Sequence, residues 1–211
     1  MFSLKNVRFK DIIRYPDIQI QQNRITFICG ESGYGKSTLL KLLSGAVSPD
    51  AGEVFYNDKP NADYDPILLR REVLLCGQSA FLFDSSIRKN FEQYYSYRDL
   101  PAISPEQMQM YLKICAIDIS LDTPCTTMSG GERHRVFIAI CLSLRPKVLL
   151  LDEPTSALDD MTANTVLTNI RLFCREHKIT LIIVSHNTAL VQSYADDTIT
   201  LSNNTCEKGT A

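Results

Sequence analysis

Short apolar runs alternate with longer stretches of helical period along this chain. Phe2–Phe9, Ile18–Ile20 and Ile25–Cys29 read as strands, and Val73–Cys76 and residues 53–56 as further ones. Over residues 36–44 the apolar positions Leu39, Leu40, Leu42 and Leu43 supply the buried face of a helix. From 79 to 128 the pattern turns helical and less regular: Met108, Leu112 and Cys115 keep helical spacing, and Pro101, Pro105 and Pro124 punctuate it. Alternation then resumes, with a helix at 133–144, an apolar strand at 148–151, a helix at 162–177, and strands at 179–185 and 198–201. Continuous apolar strands alternating with helices predict a largely parallel sheet covered on both faces. The stretch from 79 onward reads as a helical subdomain inserted into a single domain.

The 211 residues suffice for one domain with a sizeable core, and 45% hydrophobic residues exclude general disorder. A formal net charge of -2 gives no global basic field, so no nucleic-acid partner is expected. The longest apolar run, 136–144, falls far short of the roughly 18 residues a membrane span needs. Residues 1–11 carry charges and lack a signal-peptide core. The chain is therefore expected in the cytoplasm, held at a membrane, if at all, by another subunit. Seven scattered cysteines (Cys29, Cys76, Cys115, Cys125, Cys141, Cys174 and Cys206) form no CxxC pair and read as reduced, packed thiols.

Gly30-Glu31-Ser32-Gly33-Tyr34-Gly35-Lys36-Ser37 fits GxxxxGK[ST] between a strand and a helix. Gly30, Gly33 and Gly35 permit a tight turn whose N–H groups point at phosphate oxygens, and the helix adds its positive dipole end. Lys36 is placed to reach the β- and γ-phosphates and Ser37 to ligate Mg²⁺. Tyr34 is bulky for its position, and its side chain is expected to point away. Residues 148–151 run directly into Asp152 and Glu153. A strand end at the carboxyl edge suits Asp152 to Mg²⁺ and Glu153 to general-base activation of water.

Ser129-Gly130-Gly131-Glu132 opens a helix as a capping box, in which Ser129 and Glu132 satisfy each other. Capping explains serine and glutamate but not two glycines; bare backbone at a helix start is what close approach of a phosphate needs.

Met128-Ser129-Gly130-Gly131-Glu132 resembles the LSGGQ signature of ATP-binding-cassette (ABC) proteins, with Met for Leu and Glu for Gln. Gln78 resembles the Q-loop glutamine, Ser156-Ala157-Leu158-Asp159 the D-loop and His186 the switch histidine, all in family order over nearly the whole chain. Singly, Gln78 reads as a loop amide, Asp159 as a helix cap and His186 as a structural histidine; their order favours the family reading. The resemblance implies a P-loop NTPase cassette. Its core sheet is mainly parallel, with an N-terminal antiparallel β subdomain and a helical subdomain at about 79–146. ATP and Mg²⁺ are the implied ligands. Catalysis would fall to Glu153, His186, Gln78 and Lys36, and metal binding to Ser37, Gln78 and Asp152. Residues 30–37 with Thr38, Ser129, Gly130, Gly131, Glu132 and Asp159 would bind nucleotide. The family's adenine-stacking aromatic is replaced here: its position corresponds to Asp11, with Phe9 and Tyr15 as alternatives, so base selectivity is expected to be loose.

In this family the signature covers the nucleotide of a second cassette. The resemblance thus implies a head-to-tail dimer, most simply a homodimer, coupled to a separate transmembrane permease at the inner face of the cell membrane. The segments at 79–91 and 128–201 look similar to the ATP-binding subunits of small bacterial iron exporters. An ABC-type ATPase serving a soluble assembly, such as iron–sulfur cluster building, is the alternative.

Overall fold

The computed structural model describes residues 1–10 and 12–202. Two sheets enclose helix α1 (Lys36–Leu43). The first is antiparallel and is built from β1 (Phe2–Phe9), β2 (Ile13–Arg14), β3 (Ile18–Ile20), β5 (Ala51–Tyr56) and β6 (Lys59–Pro60). Strand β5 lies along one edge of β1, and β2 and β3 share the other. Strict alternation from Phe2 and Leu4 would turn Asn6 into the core. The register instead shifts between Lys5 and Arg8, Asn6 adopts φ 53°, and Val7 points inward at 1% exposure. This is a bulge that re-aims a side chain. Gly52 lies against it, where a Cβ would stand 2.2 Å from the Asn6 carbonyl oxygen.

The second sheet is wholly parallel. Its order is β10 (Asp197–Thr200), β4 (Ile25–Cys29), β9 (Thr180–Val184), β8 (Val148–Asp152) and β7 (Val73–Cys76). Strand β8 is buried throughout, and its residues divide by parity. Val148 and Leu150 join the cluster formed with α1 and the antiparallel sheet, whereas Leu149 and Leu151 face the remaining helices. The continuous apolar pattern therefore serves two cores at once.

Three helices, α3 (Ile87–Ser96), α4 (Pro105–Ile114) and α5 (Gly130–Ser143), lie in the connection from β7 to β8. Helix α6 (Asp160–Glu176) shares their core. Asn90 is fully buried in this region. Its amide nitrogen donates to the carbonyls of Phe83 and Ser86, and its oxygen accepts the Phe83 N–H at 2.8 Å. It holds the irregular segment after β7 onto α3. Asn90→Ala removes these bonds, leaves the part-buried Phe83 N–H unpaired and is expected to cost about 1–3 kcal/mol of stability, measured by urea unfolding. A loss below about 0.5 kcal/mol would contradict that role.

The outline predicted from periodicity holds, with differences at element ends. Helix α5 begins at Gly130 rather than 133, because Ser129 supplies the cap and the glycines lie in its first turn. Helix α6 begins at Asp160 rather than 162, with Asp159 as its cap. Two short strands, β2 and β6, and two short helices, α2 (Pro66–Glu72) and α7 (Thr188–Tyr194), were not anticipated. Six cysteines lie within the described residues, all unpaired, and five are buried; Cys206 lies outside them. Burial pushes the Cys174 thiol up to about 12.

Candidate nucleotide site

The parallel sheet assembles the site along its carboxyl edge. Pairings Cys76↔Leu151, Asp152↔Val184 and Ile28↔Val184 bring four strand ends level. The residues that follow them, Gly77-Gln78, Glu153, Ser185-His186 and Gly30, are thereby neighbours. Gln78, Glu153 and His186 among them line a cavity of about 230 Å³, together with Ile13, Ser32, Gly33, Gly35, Lys36, Ser37 and Thr38.

In the phosphate loop, Gly30, Gly33 and Gly35 all adopt positive φ, at 140°, 89° and 82°. Lys36 bends back across the loop, its ammonium donating to the carbonyls of Gly30 at 2.9 Å and Glu31 at 2.7 Å. It is 5% exposed. Burial pulls its pKa down, and the carboxylates of Glu153 and Asp152 work against that shift. Tyr34 donates from its hydroxyl to Glu31 at 2.8 Å and packs on the antiparallel-sheet core, so its ring does not line the cavity.

Asp152 is buried beneath the loop. Burial raises its carboxyl pKa above the usual range, while a hydrogen bond from Ser37 and the charges of Lys41 and Lys36 oppose the rise. Its Oδ1 is buried without a hydrogen-bond partner. An orphaned carboxylate oxygen beside the Ser37 hydroxyl fits a hard divalent cation that shares its shell with substrate phosphates. Glu153 takes φ 52°, a left-handed conformation that costs a non-glycine residue about 1–2 kcal/mol. Its N–H donates to the Val184 carbonyl at 3.0 Å, and its carbonyl accepts from Ser156 N–H at 3.3 Å. The turn places Glu153 Oε1 2.9 Å from His186 Nε2. A neighbouring cavity lined by Thr155, Ser156 and Leu158 shares both of these side chains.

The signature residues lie apart from this cavity. Ser129 N–H and Oγ–H both donate to Glu132 Oε2, at 2.9 and 2.7 Å, and Ser129 Oγ accepts the Glu132 N–H at 3.3 Å. Those bonds from Ser129 hold the Glu132 carboxyl below the usual range. A Cβ added at Gly130 would meet nothing within 4 Å, and one at Gly131 would make only ordinary contacts with Ala157 and Leu158. Neither glycine has positive φ. Nothing among the described residues therefore requires glycine at these two positions. Asp159 accepts the Thr162 N–H at 3.0 Å as the cap of α6, the role expected of it in isolation.

A family model described as ABC transporter matches residues 14–156. The chain belongs to the ABC transporter family. It is 30% identical over 208 residues to the "Probable iron export ATP-binding protein FetA" of Escherichia coli (strain K12), covering 95% of this chain and 91% of that protein. It is 32% identical over 223 residues to the "Probable amino-acid import ATP-binding protein YxeO" of Bacillus subtilis (strain 168), covering 100% and 89%. The dimeric post-hydrolysis structure of the ATP-binding cassette MJ0796, bound to ADP and Pi, matches with a TM-score of 0.85 at 25% identity, covering 99% of this chain and 97% of that one. The protein is thus an ATP-binding cassette and an ATP hydrolase of the ABC type. Relatives named for export and for import share it, so what they have in common is the nucleotide chemistry.

One reading of the base site changes. Tyr15 is not a platform for adenine: it is 5% exposed, and its hydroxyl donates to the Gly35 carbonyl at 2.7 Å. Ile13, which sequence reasoning passed over, lines the phosphate cavity in this ABC protein. Its pairing with Phe9 in β2 places it there, and so short a strand leaves no periodic signal. Asp11 lies outside the described residues.

Proposed function

We propose that this chain is the ATP-hydrolysing subunit of an ABC transporter, working by ATP-driven head-to-tail dimerisation against a membrane-spanning partner on another polypeptide. The observation that carries the proposal is the separation just described. The cavity around Lys36 and Glu153 has no signature residue in its wall, while Gly130 and Gly131 present bare backbone that no contact among the described residues requires. A second copy, turned head to tail, supplies what each site lacks.

In that assembly Lys36 and the loop amides of residues 30–38 hold the triphosphate. Ser37, Asp152 and Gln78 would hold Mg²⁺, which would supply positive charge against the negative charge of the transferring phosphate. Glu153 takes a proton from the attacking water, His186 orients Glu153 and contacts the terminal phosphate, and Ser129 with Gly131 closes over it from the other copy. The whole chain acts as one cassette, with a helical subdomain at about 79–146 inserted in its core. The partner subunit docks on aromatic residues of that subdomain. Phe81 and Tyr97 are 64% and 63% exposed, and Phe83 links them with ring centroids at 5.3 and 6.0 Å. No helix among the described residues is long and apolar enough to cross a membrane. Peripheral attachment at the cytoplasmic face through that partner is part of the proposal.

Extraction of membranes from the native cell tests the coupling. The chain is expected to co-purify with a polypeptide carrying several apolar stretches of about 20 residues, with its ATPase rate altered in that complex. Recovery solely in a soluble multiprotein assembly would favour the alternative class.

Base recognition is expected to be weak. The position of the family's stacking aromatic is held by Asp11, and Ile13 beside the loop offers no hydrogen bond to the polar edge of a base. Discrimination of about 10⁴ or more comes from hydrogen bonds to the distinguishing group. GTP should therefore be hydrolysed with a kcat/KM within about tenfold of that for ATP. A hundredfold preference, read from steady-state phosphate release, would contradict this.

A further inference from the structure

We propose that Tyr15 is a positioning residue of the phosphate loop, setting the affinity for the triphosphate without touching it. The proposal rests on the reading of residues 30–38 as the nucleotide-binding loop.

Gly35 is the cap residue of α1, and no side chain caps that helix by a hydrogen bond. Its carbonyl accepts two hydrogen bonds. One is the first intrahelical bond, from Leu39 N–H at 2.8 Å; the other comes from the Tyr15 hydroxyl at 2.7 Å. Tyr15 thus grips the carbonyl that begins the helix, one peptide before Lys36. Tyr15 is itself fixed, because its N–H donates to the Val7 carbonyl at 2.9 Å and its ring is buried. The grip runs from the antiparallel sheet through Val7 and Tyr15 to Gly35 and the start of α1.

The same contact explains the glycine. Gly35 has φ 82°, and a Cβ there would stand 2.7 Å from the Tyr15 hydroxyl oxygen and 3.0 and 3.1 Å from Ile13 methyl carbons. The loop is therefore pressed onto β2 and its flank. The helix-start N–H groups that would meet phosphate are aimed by the same peptide unit. An anion site of this kind works through preorganisation: donors already aimed need no reordering when the ligand arrives. The tyrosine does this without lining the cavity itself.

Tyr15→Phe removes one oxygen and keeps the buried ring, and the Gly35 carbonyl retains its bond from Leu39. The expected result is a rise of about three- to tenfold in KM for ATP and in Kd for ADP, the range of one ordinary hydrogen bond. The kcat at saturation should stay within about twofold, since no reacting atom is touched. Tyr64→Phe is the control. Tyr64 donates to the Tyr56 carbonyl at 2.8 Å beside the same sheet but away from the loop, so its loss should lower the melting temperature and leave KM alone. An unchanged KM in Tyr15→Phe, a fall in kcat at constant KM, or equal KM shifts in both variants would each overturn the proposal. A wild-type chain that binds neither ATP nor ADP would instead overturn the reading of the loop itself.

Discussion

Glu153→Gln is expected to slow ATP hydrolysis by about two to four orders of magnitude, the range attributed to a positioned general base, while ATP binding persists. The reasoning starts from backbone. Glu153 follows a fully buried strand and then turns through φ 52°, held by its N–H on Val184. That conformation is costly for a residue with a side chain and is tolerated where the side chain must be aimed. Its carboxylate meets His186 Nε2 at 2.9 Å and lines the cavity with Lys36, Ser37 and Gln78. Glutamine keeps the size and the hydrogen-bonding reach but cannot take up a proton from water. Binding contacts of the phosphate loop are untouched, so the closed, ATP-loaded dimer should accumulate. Phosphate release and size-exclusion chromatography with Mg²⁺ and ATP measure the two halves. Turnover at the wild-type rate would remove Glu153 from the base role, and a strictly monomeric variant would count against the sandwich.

What sequence reasoning could reach differs between kinds of residue. The motifs that carry Lys36, Asp152 and Glu153 are legible because they sit in contiguous runs at the ends of apolar strands, where period and motif coincide. The parallel sheet then gathers those strand ends at one edge. Strands β2 and β6 have two residues each, too short for periodicity, and exist only through pairing with β1 and β5. Helix α2 did carry a local signal: Asp65 caps it, accepting from Ile67 and Leu68 N–H, with Pro66 in its first position. The capping box at Ser129 marks the true start of α5, whereas the apolar period begins only at 133, because Gly130 and Gly131 carry no side chain to register it. The direction of Tyr15 was not legible at all. An aromatic side chain near a phosphate loop is equally compatible with stacking on a base or with packing inward. Only the bulged β1, which brings Val7 under the Tyr15 backbone, decides the matter.

Lys36→Ala is expected to weaken ATP binding by at least about a hundredfold, since two or more charge-assisted bonds at roughly 1.5–3 kcal/mol each are lost. The side chain spans its own loop, and its ammonium already holds the carbonyls of Gly30 and Glu31. Two contributions are therefore removed together: a charge for the phosphates and a brace for the loop. Burial disfavours the ammonium, but Glu153 and Asp152 favour it, and those carboxylates lose their nearby cation in the variant. Lys36→Met separates both of these from the packing of the aliphatic stem, because the stem stays while the ammonium, with its charge and its brace, goes. If charge dominates, both variants bind ATP equally poorly while Lys36→Met melts closer to the wild type. If the stem's packing dominates, Lys36→Met recovers most of the binding. Calorimetric titration with ATP decides between them, and an Lys36→Ala protein that binds within about threefold of the wild type would remove the lysine from the nucleotide site altogether.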